Sequence, residues 1–276
     1  MPELPEVENV CRSLLKLVKG KTVEDIHIGW PKIIHYPLEI EQFQDALRGQ
    51  TFRGLNRKGK FLVFELDDYS LVSHLRMEGH YSVHKKGDPS DKHTHVVFCL
   101  TDGEELRYRD VRKFGTMHLF KKGTEQGQLP LSKLGPEPFS ADFSAEYLMD
   151  RLKKTDRIIK AVLLDQAIVA GLGNIYADEV LFRAGIHPCR RAKTITEEEA
   201  RVLTSQMIET LNEAIEAGGS SVNTYMNSLG LAGSFQNSLH VYGRNGQECV
   251  SCGTLLEKIK AAGRGTHFCP SCQIIE

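Results

Sequence analysis

The chain has 276 residues, more than one average domain holds, and a net charge of −1 with a pI near 6.8. Hydrophobic residues make up 41%, enough for a sizeable core, and no eighteen-residue apolar run marks a membrane span. The start, Met1-Pro2-Glu3-Leu4-Pro5-Glu6, lacks the basic residues and apolar stretch of a signal peptide, so a cytosolic protein with no membrane partner is expected. A near-neutral balance counts against a uniformly basic nucleic-acid binder, but the cations cluster. Arg48, Arg53, Arg57, Lys58 and Lys60 share an acid-free stretch, and Arg107, Arg109, Arg112 and Lys113 surround Asp110.

Val7, Val10, Leu14, Leu17 and Val18 recur at helical spacing, predicting a helix from Pro5 to Lys19 with Gly20 as its stop. From Val23 to Phe120 the pattern changes to short strands: Lys60–Leu66, Leu71–Leu75, His93–Leu100 and Leu106–Arg109, with a helix at Glu39–Leu47. Asp102-Gly103 is a hairpin signal. Strands of this kind suggest a sandwich or barrel. Residues 128–140 contain Pro130, Pro136 and Pro138 and read as an interdomain linker. Helical periodicity follows at Ala145–Lys154, Arg157–Leu164, Ile175–Ala184 and Glu197–Ala217, with Thr196 and Glu199 spaced as a capping box. Residues 218–236, rich in Gly, Ser and Asn, form a long connection.

Of seven cysteines, Cys11, Cys99 and Cys189 stand apart and read as reduced thiols. Cys249, Cys252, Cys269 and Cys272 form C-x2-C-x16-C-x2-C, the spacing of a zinc ribbon. Four thiolates close a tetrahedral site, so one structural rather than catalytic zinc is expected. Lys258, Lys260 and Arg264 lie between the two pairs, where a rigid basic hairpin would clamp phosphate. At the other end, removal of Met1 would leave Pro2 with a free secondary amine, able to attack an aldehyde-like carbon, with Glu3 beside it for proton transfer. Composition alone favours the plainer reading, a proline that starts a helix.

Several stretches together change that balance. Met1–Glu8, Arg57-Lys58-Gly59-Lys60-Phe61, His74–Gly79, Asp110–Gly115, Gly171–Tyr176 and the ribbon with Gly263–Thr266 resemble, in order and over essentially the whole chain, the bacterial formamidopyrimidine-DNA glycosylases. The resemblance implies an α+β fold in two domains: an N-terminal β-sandwich with flanking helices (1–127), then a helix–two-turn–helix domain (141–237) whose loop 218–236 covers the lesion, ending in a zinc ribbon (238–276). It implies removal of oxidised purines, chiefly 8-oxoguanine and formamidopyrimidines, from double-stranded DNA by a monomer whose DNA cleft lies between the domains. Strand cleavage by β,δ-elimination through a Pro2 Schiff base would follow.

By the same resemblance Pro2, Glu3, Lys60 and Arg264 are catalytic. Met77, Arg112 and Phe114 fill the gap left by the flipped nucleotide, although periodicity alone would put Met77 and Phe114 in the core. His74, His93, Asn174, Tyr242 and Lys258 touch the DNA backbone, and Thr224 and Tyr225 belong to the lesion loop. One departure is Asn223, near where the family carries a basic residue, which puts lesion preference in question. Two other readings are an endonuclease VIII-like glycosylase for oxidised pyrimidines, disfavoured by Leu4, and a non-catalytic damaged-DNA-binding ribbon protein, disfavoured by Pro2 and Glu3 together.

Overall fold

The computed structural model describes residues 1–221 and 226–275. The first helix, α1 (Leu4–Val18), buries Val7, Val10, Leu14 and Val18 along one side. Gly20, at φ +84°, then turns the chain into the strands. These are β1 (Val23–Ile28), β2 (Ile34–Tyr36), β3 (Gly54–Lys58), β4 (Phe61–Glu65), β5 (Tyr69–His74), β6 (His80–Lys85), β7 (Thr94–Leu100), β8 (Glu104–Arg109) and β9 (Thr116–Lys121), with α2 (Ile40–Leu47) between β2 and β3.

They form two sheets, ordered β1-β7-β8-β6 and β2-β9-β5-β4-β3, antiparallel except for the β2–β9 pair. One apolar core serves both: Ile26, Val96, Phe98 and Leu106 from the first sheet pack with Leu62, Phe64, Leu71 and Met117 from the second. The rings of Phe64 and Tyr81 meet edge-to-face between the sheets at 5.3 Å. Asp102 and Gly103 lie in the turn joining β7 to β8, with Gly103 at φ +82°.

The second set of helices is α3 (Ala145–Lys153), α4 (Ile159–Leu163), α5 (Asn174–Arg183) and α6 (Glu197–Glu216). Thr196 caps α6 in the reciprocal arrangement its spacing predicts: its hydroxyl accepts from the Glu199 N–H, whose carboxylate accepts from the Thr196 N–H. Leu148, Val162, Tyr176, Val180, Leu203 and Met207 form the helical core. A hairpin of β10 (Glu257–Ala261) and β11 (Arg264–Phe268) follows.

The fold divides into two compact units, Met1–Ser132 with Gly218–Gly233, and Lys133–Ala217 with Ser234–Glu276. The boundary at Ser132 falls within the proline-rich stretch 128–140. The described part of Gly218–Gly233 joins the sheet unit although α6 precedes it. Its backbone is held there by α1: the Ser220 N–H donates to Glu6 Oε1 at 2.7 Å, and the Ser228 N–H to Ser13 Oγ at 3.3 Å.

Candidate active site and nucleic-acid interface

In the sheet unit, the start of α1 is closed by two carboxylates. Glu3 is the N-cap; its N–H donates to Glu6 Oε2 at 2.8 Å while its own side chain accepts from the Glu6 N–H. This is a capping box with glutamate where Ser or Thr is usual. Both side chains are almost wholly buried. Pro2, half-buried, precedes this fixed carboxylate, so the nitrogen of Pro2 and the carboxylate of Glu3 belong to adjacent residues at a rigid helix end. In the chain with Met1 that nitrogen is an amide and cannot act as a nucleophile.

Lys60 lies on the turn between β3 and β4, where Gly59 has φ +57°. Arg57 braces this turn, donating from Nη1 to the Gly59 carbonyl at 3.0 Å and from Nε to Glu8 on α1 at 2.8 Å. His74 ends β5 against the edge of Phe61 at 4.5 Å. Burial, followed by the positive charges of Arg76 and Lys60, lowers its pKa to about 3. The ring is therefore neutral at physiological pH. Its Nδ1 accepts from the Arg76 N–H at 2.8 Å, which leaves the proton on Nε2 as a donor suited to a phosphate oxygen.

Two loops carry the residues matched to the wedge. Met77 is 39% exposed and Phe114 52%, so neither occupies the core that periodicity alone would give it. The Arg112 guanidinium lies 4.8 Å from the centre of the Phe114 ring. The loop that presents them is wound around Asp110, which is fully buried. Asp110 accepts from the backbone N–H groups of Arg112 (3.0 Å), Phe114 (2.9 Å) and Gly115 (2.8 Å). Its own N–H donates to the His93 carbonyl at 3.0 Å, and His95 Nε2 lies 2.9 Å from its carbonyl oxygen. This carboxylate is what positions Arg112 and Phe114, and sequence reading missed its task because an acid among basic residues looks like a surface charge.

In the helical unit, Asn174 opens α5 and donates from Nδ2 to the Gly265 carbonyl at 3.0 Å. Behind it is a buried ionic cluster. Lys160, with no exposed surface, donates to Asp178 Oδ1 at 2.5 Å and to Thr266 Oγ1 at 2.7 Å. Asp178 Oδ2 accepts from the His267 N–H at 2.9 Å. The cluster pins β11 to α4 and α5, which fixes the strand that begins with Arg264. The neighbouring Glu179 accepts from the backbone N–H groups of His240, Val241 and Tyr242 at 2.8–2.9 Å. Burial pushes its pKa up, but hydrogen bonds from His240 and these backbone groups outweigh that and hold it below the usual glutamate value. The Tyr242 ring, so placed, meets the edge of His267 at 5.0 Å.

The β10–β11 turn is Ala262-Gly263, both with positive φ (+51° and +70°), as a two-residue type I′ hairpin requires. Lys258 and Arg264 are exposed on this hairpin. The four cysteine sulfurs lie within 4.8 Å of one another, with Cys252–Cys269 at 3.5 Å and Cys249–Cys272 at 3.9 Å. Tetrahedral zinc with bonds of about 2.3 Å would set its sulfurs about 3.8 Å apart. The N–H groups of Ser251 and Cys272 point at the sulfurs of Cys249 and Cys269, both at 3.4 Å, and so support thiolate charge. The donor set therefore suits one closed, structural zinc. Among the described residues this is the one cluster of three or more His, Cys, Asp or Glu side chains placed to hold a metal. Thr224, Tyr225 and Asn223 lie outside the described residues.

Residues 1–117 match the model of the formamidopyrimidine-DNA glycosylase N-terminal domain, 134–226 that of its H2TH domain, and 246–274 a zinc finger found in FPG and IleRS. The chain is 58% identical to the formamidopyrimidine-DNA glycosylase of Bacillus licheniformis and 56% identical to that of Bacillus subtilis, with 99% of each chain covered. It is similar to solved structures of Lactococcus lactis Fpg. One is a complex with abasic-site DNA (TM-score 0.92, 44% identity, 99% of both chains). Another is a complex with N7-benzyl-Fapy-dG DNA (TM-score 0.92, 43% identity, 99% and 100%).

Proposed function

The chain belongs to the formamidopyrimidine-DNA glycosylase family, and we propose that it excises oxidised purines from duplex DNA and then cleaves the strand at the resulting abasic site. The observation that carries this reading is the end of α1: a proline at position 2 beside a buried carboxylate locked by the capping box.

Once Met1 is removed, the lone pair of Pro2 attacks C1′ of the flipped nucleotide. The C1′–base bond breaks, and the base leaves with its electrons and takes the proton that the attacking nitrogen loses. Glu3 supplies a proton to the ring oxygen as the sugar opens, which gives an iminium ion on Pro2. The iminium acidifies the 2′ proton, and its loss expels the 3′ phosphate. A second elimination expels the 5′ phosphate. Capping leaves Glu3 little freedom to rotate away, which favours repeated proton transfer at one place.

Lys60, His74 and His93 on the sheet unit, and Asn174, Tyr242, Lys258 and Arg264 on the helical unit, contact the DNA backbone in this reading. Exposed Met77 and Phe114 with Arg112 fill the vacated stack. Thr224 and Tyr225 contribute to covering the base. The working form is a monomer. None of the described helices is long and apolar enough to cross a membrane.

Borohydride reduction during reaction with an 8-oxoguanine duplex tests the proposal. Protein with Met1 removed should become covalently linked to the DNA. Absence of a trapped species from such protein overturns the lyase chemistry. Pro2→Gly should lose most activity while binding persists, and unchanged activity would move the nucleophile elsewhere.

A further inference from the structure

Tyr108, on β8, is fully buried and meets the edge of Tyr81 at 4.9 Å. Its hydroxyl lies 3.5 Å from Asp110 Oδ2, the oxygen that also receives the Phe114 and Gly115 N–H groups. Burial, then the neighbouring Tyr81 and Asp110, raises its pKa far above that of an ordinary phenol, so the hydroxyl keeps its proton and acts as a donor.

Two glycines close on the hydroxyl oxygen of Tyr108. A Cβ at Gly115 would lie 1.7 Å from Tyr108 Oη. A Cβ at Gly79 would lie 2.3 Å from it and 2.5 Å from the Leu75 carbonyl. Gly79 closes the Met77 loop through its N–H bond to that carbonyl at 2.9 Å, after a left-handed turn at Arg76, φ +53°. Gly115 closes the Arg112–Phe114 loop. Neither glycine has the positive φ that would itself call for glycine. Their smallness is what allows the backbones of two loops to rest against one phenol.

We infer that Tyr108 is a positioning residue whose hydroxyl joins the Met77 loop and the Arg112–Phe114 loop into one rigid wedge. The inference rests on the reading of these three side chains as the group that fills the stack. Tyr108 touches no substrate. It fixes the separation of the two loops, so an inserted Met77 and an inserted Phe114 arrive together rather than independently.

Tyr108→Phe removes one oxygen and keeps the packed ring. In the DNA-free protein, amide hydrogen exchange at 75–79 and 110–115 should accelerate together while β8 stays protected. Single-turnover excision of 8-oxoguanine from a duplex should fall about tenfold, the effect expected for roughly 1.4 kcal/mol of lost positioning. Cutting of a preformed abasic site, with no base to expel, should change much less. Exchange that rises in the Asp110 loop alone, or in neither loop, overturns the inference, as does a parallel fall of excision and cutting.

Gly79→Ala gives an independent reading, because it should raise exchange at 110–115, a loop it does not belong to. Its effect there should be smaller in the Tyr108→Phe background, since the obstructing oxygen is gone. Unchanged exchange at 110–115 would separate the loops. Should wild-type protein release no 8-oxoguanine, the proposed function fails, and the exchange measurements still decide the coupling.

Discussion

The two units present their exposed basic and aromatic side chains by different means. On the sheet unit, the loop bearing Arg112 and Phe114 is wound around the carboxylate of Asp110 and stands on a core shared by two sheets. On the helical unit, the hairpin bearing Lys258 and Arg264 is anchored through β11 by the Lys160–Asp178 cluster, while the cysteine loops stand beside a small satellite core that includes, among the described residues, Phe182, Val241, Leu256, Cys249 and Cys269. A core that small cannot offset the conformational entropy of the ribbon, so four thiolates and a metal supply what apolar burial does not. Buried polar anchors hold both the Asp110 loop and β11, and the metal is added where the cysteine loops of the ribbon have little apolar surface beneath them.

Removing the zinc should break the comparison most severely. Structural zinc supplies on the order of 10 kcal/mol to small ribbons, so chelation or Cys269→Ser should unfold 247–273 and reduce DNA affinity by orders of magnitude. The sheet unit should keep its circular dichroism and its cooperative melt. Metal analysis should give near one zinc per chain. Retained affinity in zinc-free protein would show that the hairpin stands without it.

Asp110→Ala should have the next largest effect. It leaves three backbone N–H groups without their acceptor, each worth about 1–3 kcal/mol when buried and unpaired. A loss of roughly 3 kcal/mol or more in urea unfolding is expected, together with lost excision. A loss under about 1 kcal/mol would mean that water replaces the carboxylate and that the loop is not built on it.

His74 sharpens the comparison through pH. Its folded pKa is lowered to about 3 from the ordinary value of 6.5, so the unfolded chain binds the proton more readily. This contribution to stability is fully present above about pH 6.5 and declines as pH falls, by up to about 1.4 kcal/mol per pH unit, until about pH 3. From pH 7 to pH 5 His74 alone should cost the sheet unit roughly 2 kcal/mol, and because burial also lowers His118, to about 4, His74→Gln should lessen the slope of the unit rather than abolish it. An unchanged slope would assign the acid sensitivity to other groups.

The smallest effect concerns Ala262. Its left-handed backbone (φ +51°) costs an L-residue roughly 1 kcal/mol. Ala262→Gly should therefore stabilise the zinc-loaded hairpin by somewhat less than that, because glycine also gains freedom in the unfolded chain. Hydrogen exchange at 258–267 would register it.

Periodicity and ligand spacing were enough to read the regular elements and the metal site from the chain. Val7, Val10 and Leu14 mark their helix because burial of one face repeats along it, and the Cys-x-x-Cys pairs mark the ribbon because ligand spacing is local. Pro2 and Glu3 were legible only through their likeness to a known family, since a proline at a helix start looks the same with or without chemistry. The remainder emerged only in the folded chain. Folding exposed Met77 and Phe114, and it turned Asp110, Glu179 and the Lys160–Asp178 pair inward to hold loops and strands. It also returned the described part of Gly218–Gly233 to α1 through Glu6 and Ser13. A buried carboxylate is recognised by the N–H groups that surround it, and those groups come together only when distant segments have folded.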